Sequence, residues 1–227
     1  MSHGKQFTLI SSLTGPNAWK IDFVLLELGL EYESKFLDFT KLEQKAPDHT
    51  KYNPNGRIPT LIDHSNNDFV MWESDAIMLY LVEKYDTERK ISVSDFNEKF
   101  EQVQWLFFQA SGQGPYFGQA VWFMHYHPEK ISSAVARYQA ETIRVLGVLD
   151  GVLSKREWLV GGKCTIADLS FVPWNLYALR VILKNRPDVD VPKDYPAYYK
   201  WHRAMFARES VAKIAAPAEA ALIERGR

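Results

Sequence analysis

Two short segments carry the residue types expected of a site for a small anionic peptide. Residues 53–63 include Ile58 followed by Pro59, and ten residues after that run Glu73 and Ser74 stand at the start of a predicted helix. The first N–H groups of a helix have no partner inside the helix, and they attract an anion. A residue beside a cis-proline exposes its backbone to an extended ligand. Together the two segments predict a site for a short peptide with a free carboxylate.

The elements around these segments predict a small mixed domain. Apolar residues at positions 21, 24, 25 and 28 follow the i, i+3, i+4, i+7 spacing of an amphipathic helix. Strands are predicted at residues 5–11, 32–39, 59–63 and 68–72, with an irregular connection at 40–52 and a final helix capped by Ser74. The first two strands require a right-handed parallel crossover. This order is that of an α/β thioredoxin-like domain, which we place at residues 1–87.

The rest of the chain predicts an all-α helical bundle at residues 95–227, after a polar linker at 87–95. Helices are predicted at 96–111, 128–153, 165–183, 195–207 and 212–223, and the first is interrupted at 112–115. Thr165 and Asp168 form a capping box at the start of a strongly apolar helix. We therefore expect that helix to be central and buried.

Composition narrows the classes of function. The 227 residues carry a net charge of −1, which argues against nucleic acid as a main partner. Cys164 is the only cysteine, so no internal disulfide is possible and a reducing, cytoplasmic location is expected. No signal peptide or membrane span is visible. His125 and His127 lack partners with metal-ligand spacing, so no metal site is expected.

Three units together resemble the soluble glutathione transferases over essentially the whole chain. They are Ile58 with Pro59, Glu73 with Ser74, and the run at 159–168 that ends in the capping box. Residues 105–120, 38–39 and 46–47 are similar to the fungal branch related to the transferase-like domain of the yeast nitrogen-catabolite regulator. The resemblance implies glutathione as a co-substrate, no prosthetic group, and a homodimer without nucleic acid or membrane as a partner.

The resemblance also implies how the tripeptide is held. Ile58 would pair its backbone with the cysteinyl part, and the bond before Pro59 would be cis. Glu73 would accept from the γ-glutamyl ammonium, and Ser74 would donate to the γ-glutamyl carboxylate. Gln44 and Lys45 match the positions that reach the glycyl carboxylate. The alternative is that both belong to a solvated loop.

A transferase must also stabilise the glutathione thiolate. A free thiol is largely protonated at neutral pH, because its pKa is about 8.5. No tyrosine lies near the end of the first strand, where the candidates are Ser11, Ser12, Thr14 and Asn17. The resemblance favours Asn17 as the catalytic residue, and its amide N–H₂ can donate to the sulfur without deprotonating it. Asn17 also fits a simple helix-start residue beside a proline.

The second substrate is expected in a cleft between the two domains. The interruption at 112–115 would open that cleft to small hydrophobic electrophiles. Aromatic residues at helical spacing are also typical of a core. The candidate wall residues are Trp105, Phe108, Gly112, Tyr116, Phe117 and Trp122, with Phe123, Trp174 and Asn175 as further candidates.

The sequence thus predicts a glutathione transferase that conjugates apolar electrophiles or reduces peroxides with glutathione. Thiol transfer is disfavoured, because that chemistry usually requires a cysteine in the site and Cys164 lies far from it in the chain. The alternative from another class is a glutathione-binding regulatory or ligandin-type protein with little catalytic activity. A turnover assay separates the two.

Overall fold

A four-stranded sheet lies at the centre of the first domain in the computed structural model, which describes residues 4–224 and side chains up to residue 220. The strands are β1 (Phe7–Ser11), β2 (Tyr32–Phe36), β3 (Thr60–Asp63) and β4 (Phe69–Trp72), in the order β2-β1-β3-β4. β1 is parallel to β2 and antiparallel to β3, and β4 is antiparallel to β3. The helices of this domain are α1 (Pro16–Glu27), α2 (Pro47–Thr50) and α3 (Ser74–Tyr85). The predicted thioredoxin-like order is confirmed, and the predicted domain limits at 1 and 227 lie outside the described residues.

One close approach shapes the loop before α1. Pro16 occupies the first turn of the helix, where its missing N–H has no cost. A Cβ at Gly15 would overlap Cδ1 of Ile58, so a larger residue there would require the Ile58 side chain to move. The Ile58–Pro59 bond is cis, as predicted. The loop before α1 and the loop before β3 therefore lie side by side at one end of the sheet.

Helices build the second domain. They are α4 (Phe96–Phe108), α5 (Gly114–His125), α6 (Ser132–Leu153), α7 (Ile166–Tyr177), α8 (Val191–Asp194), α9 (Pro196–Phe206) and α10 (Glu209–Glu224). Every residue of α7 is buried, as predicted, and this helix packs on α1 of the first domain. The capping box is present: Thr165 Oγ1 accepts from the N–H of Ala167, and Asp168 Oδ2 accepts from the N–H of Thr165 at 2.9 Å. Burial raises the pKa of Asp168 to about 6.

The first long helix does not break at residues 112–115, contrary to the prediction. A π-helical turn at Gln109–Gln113 carries α4 directly into α5. Pro115 follows this turn directly, and it lacks the N–H that a regular α-helix would use at this position. The wider turn rotates the faces of α5 relative to those of α4. That rotation decides which side chains reach the space between the domains.

Several predicted boundaries also differ from the structure. An irregular segment at 126–131 precedes α6, which begins at Ser132 rather than at residue 128, and β2 ends at residue 36 rather than 39. Ser74 is the first residue of α3 and not its cap. Glu73 occupies the N-cap position and makes no side-chain capping bond. The hydroxyl of Ser74 therefore has another role than starting the helix.

Candidate active site

Two adjoining cavities lie beside the starts of α1 and α3, and the larger also reaches the helices of the second domain. The larger has a volume of about 890 Å³ and the smaller, mostly polar one has about 420 Å³. Four residues line both cavities, and they therefore mark the junction: Asn17, Arg57, Glu73 and Ser74. Three of these four were predicted site residues. The structure thus brings the start of α1 together with the start of α3.

The polar cavity contains the backbone segment predicted to bind an extended peptide. Ile58 and Pro59 line it, together with Asn53 and Asn55. Asn53 is buried, and its Nδ2 donates to the carbonyl of Arg57 at 2.7 Å. This bond closes the turn that leads into the cis bond. The local sequence therefore holds the ligand-facing loop before any ligand binds.

The start of α3 combines a strained residue with a hydroxyl. Glu73 has a φ of +69°, a region that side chains of L-residues rarely adopt, and its side chain is exposed at the cavity rim. Ser74 is buried and follows at the first helical position. Asp75 comes next and also lines the larger cavity. The first turn of α3 therefore presents N–H groups and one hydroxyl between two carboxylates.

Lys20 lines the larger cavity, and the sequence analysis missed it. Its Nζ donates to Ser74 Oγ at 3.1 Å, to Asp75 Oδ1 at 3.0 Å, and to Gln109 Oε1. Burial lowers the pKa of the Lys20 ammonium, and the Asp75 carboxylate opposes that shift. One signal was visible: Lys20 stands four residues before Val24, on the apolar face of α1. A charge in that position marks a buried polar contact.

A chain of buried amides continues from Lys20 into the second domain. Gln109 Nε2 donates to Gln113 Oε1 at 3.1 Å, and Gln113 Nε2 donates to Asn175 Oδ1 at 2.8 Å. Gln109 and Gln113 both belong to the π-helical turn, while Asn175 lies in the last turn of α7. The π turn therefore places these two glutamines at the junction of the domains. Asn175 reaches this network but does not line the larger cavity.

Asn17 makes one contact that sets the orientation of its amide. The indole Nε1 of Trp174 donates to Asn17 Oδ1 at 3.0 Å. An indole nitrogen can only donate, so the atom that it faces must be the amide oxygen. The N–H₂ group of Asn17 is left to donate elsewhere. The other candidates near β1 do not line either cavity: Ser11, Ser12 and Thr14.

The larger cavity has an apolar wall on the helical side. Of the six predicted wall residues, Trp122 lines it, and its side chain is exposed. Wall residues that were not predicted are Leu79, Leu106 and Phe107, and Trp174 was a further candidate. The remaining predicted residues lie outside this lining: Trp105, Phe108, Gly112, Tyr116 and Phe117. Trp105 is buried against Phe171 of α7, and the face of α5 that lines the cavity carries Gly114, Gly118 and Trp122.

Gln44 and Lys45 lie in a short 3₁₀ turn beside the polar cavity but do not line it. Lys45 Nζ donates to the carbonyl of Asn55 at 3.0 Å, and Asn55 does line the cavity. Within the described part of the chain, Gln44 Oε1 is buried without a hydrogen-bond partner. Their role toward a glycyl carboxylate stays a prediction.

Comparison with known proteins decides the family. Residues 5–83 match the model of the glutathione S-transferase N-terminal domain, and residues 115–209 match that of the C-terminal domain. The chain belongs to the glutathione S-transferase family. Glutathione S-transferase 1 of Schizosaccharomyces pombe is 51% identical, over 89% of this chain and 92% of that protein. The transcriptional regulator URE2 of Saccharomyces cerevisiae is 38% identical, over 91% of this chain and 67% of that protein.

Solved structures agree with this glutathione S-transferase assignment. The glutathione transferase URE2P6 of Phanerochaete chrysosporium, in complex with oxidized glutathione, is 57% identical with a TM-score of 0.91. That match covers 96% of this chain and 98% of the other. URE2P5 of the same organism, cocrystallized with 1-(S-glutathionyl)-2,4-dinitrobenzene, is 52% identical with a TM-score of 0.89, over 100% of both chains. The predicted fungal branch is therefore confirmed.

The cysteine of this glutathione S-transferase, Cys164, lines neither of the two cavities. Cys164 precedes α7 and is buried, and burial raises the pKa of its thiol well above the ordinary value. A thiol in that state is not a nucleophile. Over residues 4–224, no helix is long and apolar enough to cross a membrane. Nor do the described residues contain a group of three His, Cys, Asp or Glu side chains that would hold a metal ion.

Proposed function

We propose that this protein is a glutathione transferase that conjugates glutathione to small hydrophobic electrophiles. Residues 1–87 bind the tripeptide and residues 95–227 form the electrophile site. The observation that carries the proposal is the position of Asn17 in the lining of both cavities. A sulfur bound beside this amide would lie between the tripeptide and the second substrate.

The polar cavity is the binding site of the tripeptide in this proposal. The backbone of Ile58 pairs with the cysteinyl residue. Glu73 accepts from the γ-glutamyl ammonium, while Ser74 and the first N–H groups of α3 donate to the γ-glutamyl carboxylate. The glycyl carboxylate extends toward the loop that contains Gln44 and Lys45.

Asn17 stabilises the thiolate once it has formed. The Asn17 amide has no basic atom, so the thiol proton leaves to solvent. Its N–H₂ then donates to the sulfur and lowers the free energy of the anion. The sulfur attacks the electrophile and displaces its leaving group. With a hydroperoxide, the sulfur takes one oxygen and the alcohol leaves, and a second glutathione then forms the disulfide and releases water.

The larger cavity suits an apolar electrophile. Phe107 and Trp122 supply exposed aromatic surface, and Leu79 and Leu106 supply aliphatic surface in the same lining. Pockets of this kind bind by burying apolar area and discriminate weakly among shapes. Turnover with an aryl halide, an isothiocyanate and a hydroperoxide tests the function. Saturable glutathione binding without turnover of any of them contradicts catalysis.

That negative result would favour the second candidate, a glutathione-binding regulatory or ligandin-type protein. Its support is the 38% identity to the transcriptional regulator URE2. The amide of Asn17 is also compatible with it, because a donor without a base can hold glutathione without driving its reaction. The two candidates share the tripeptide site and differ only in turnover.

We further propose that the protein acts as a cytoplasmic homodimer. Phe96 and Phe100 lie one turn apart on α4, are 71% and 62% exposed, and have ring centroids 4.9 Å apart. Phe69 and Trp72 are exposed on strand β4 of the first domain. Apolar surface of this kind is typical of an interface. Sedimentation velocity tests this proposal, and a monomer at micromolar concentration contradicts it.

A further inference from the structure

Lys20 is a buried cation that contacts the first two residues of α3, Ser74 and Asp75. Its side chain is 2% exposed, yet it lines the larger cavity. An ammonium has three donors, and Ser74, Asp75 and Gln109 account for three acceptors. Lys20 therefore acts on a ligand through its neighbours and not by direct contact.

The contact with Lys20 determines how Ser74 uses its hydroxyl. Because an ammonium can only donate, Ser74 Oγ accepts from Nζ at 3.1 Å. The hydroxyl proton is then directed to some other acceptor. Ser74 lines both cavities, so a ligand carboxylate beside the first turn of α3 meets an O–H donor as well as N–H groups.

Lys20 also changes the charge of this subsite. Two carboxylates, those of Glu73 and Asp75, flank Ser74 in the chain and repel a third carboxylate. The ion pair between Lys20 and Asp75, at 3.0 Å, offsets one of them. The effect is larger than at a surface, because both side chains are mostly shielded from water.

We propose that Lys20 is the positioning residue that makes this subsite select ligands with a free γ-glutamyl α-carboxylate. The inference rests on the proposed function only for the identity of the ligand as glutathione. Gln109, from the π-helical turn, holds Lys20 in place. The second domain therefore contributes to a subsite whose other residues all belong to the first.

Binding of three S-methylated tripeptides to the full chain tests the proposal by calorimetry. They are S-methylglutathione, an analogue with γ-aminobutyryl in place of γ-glutamyl, which lacks the α-carboxylate, and a glutaryl analogue, which lacks the α-amine. The unaltered protein is expected to prefer S-methylglutathione to the first analogue by roughly tenfold to a hundredfold. Lys20→Met is expected to remove most of that preference. The preference over the glutaryl analogue, which depends on Glu73, is expected to persist.

A companion variant separates selectivity from folding. Lys20→Met leaves the Asp75 carboxylate without its cation, which destabilises the chain. The double variant Lys20→Met with Asp75→Asn removes that defect, and Asp75→Asn alone is the matched control, expected to keep the preference for the carboxylate. The proposal is wrong if the double variant keeps the original preference, or if affinity for both analogues and for S-methylglutathione falls equally. Because this assay measures binding, a lack of turnover would overturn the proposed function and leave the inference standing.

Discussion

Trp174 of α7 donates its indole N–H to the side-chain oxygen of Asn17 in α1, at 3.0 Å and across 157 residues. This bond joins the helical domain to the first turn of α1, which faces the glutathione sulfur in our proposal. Trp174 is itself held against Tyr177, with ring centroids 5.3 Å apart, and the Tyr177 hydroxyl donates to the carbonyl of Thr14. The helical domain therefore orients the amide of Asn17 in the first domain.

Replacing Trp174 with phenylalanine should release the amide of Asn17. The variant keeps an aromatic ring but removes the N–H, so the amide can turn and lose its donation to sulfur. We expect turnover to fall by about tenfold, on the scale of one lost hydrogen bond to a charged group, while KM for glutathione changes little. The pKa of bound glutathione, followed by thiolate absorbance, should rise. An unchanged thiol pKa would show that Trp174 does not orient the amide.

Asn17→Ala tests the catalytic role directly. Loss of one hydrogen bond to the thiolate should lower turnover by roughly tenfold to a hundredfold. Affinity for glutathione should change less, because the γ-glutamyl and cysteinyl contacts remain. Steady-state kinetics with an aryl halide measures both values. Ser12→Ala is the matched control, and a larger effect of that change would transfer the role from Asn17 to Ser12.

Trp122→Ala tests the apolar wall of the larger cavity. Removal of the ring should raise KM for an aromatic electrophile by roughly tenfold or more, because an indole contributes on the order of 1.5–3 kcal/mol when it is buried by a ligand. KM for glutathione should stay constant. Tyr126→Ala is the control: its ring is as exposed as that of Trp122 and stacks on it at 5.9 Å, but it does not line the cavity. Equal effects of both variants would contradict the assignment of Trp122.

Glu27 should make stability depend on pH. Its carboxylate accepts from Arg208 at 2.9 and 2.8 Å and from Ser210 at 2.5 Å, which ties α1 to the start of α10. Burial alone would raise the pKa of Glu27, but the bonds from Arg208 and Ser210 outweigh it and lower that pKa. A lowered folded-state pKa means that the stabilisation is present above the ordinary value of 4.5 and is lost as the pH falls through the folded value.

The measurement is urea unfolding of the unaltered chain and Glu27→Gln at several pH values. At pH 7 the variant should be less stable by about 2–3 kcal/mol, because a buried, charge-assisted contact is lost. The difference should shrink below pH 4.5, where the unfolded carboxyl is protonated. A difference that is constant from neutral to acidic pH would show that the ion pair contributes nothing.

The local sequence accounts for most of the fold and for part of the site. The spacing of apolar residues predicted the element order, because helix and strand periods are local. Thr165 and Asp168 predicted the start of α7, since a capping box spans only four positions. Ile58 with Pro59 and Glu73 with Ser74 predicted the segments around the polar cavity. Each of these depends on residues that are close neighbours in the chain.

Only the tertiary structure showed what lies beside those segments. Lys20 meets Ser74 and Gln109, which are 54 and 89 residues away, and Asn17 meets Trp174. The lining of the larger cavity also depended on how α4 and α5 pack, which the predicted interruption at 112–115 did not reveal. The physical reason is the same in each case. Contacts between distant residues follow from how helices pack and rotate against one another, and a single sequence carries no periodic signal for that.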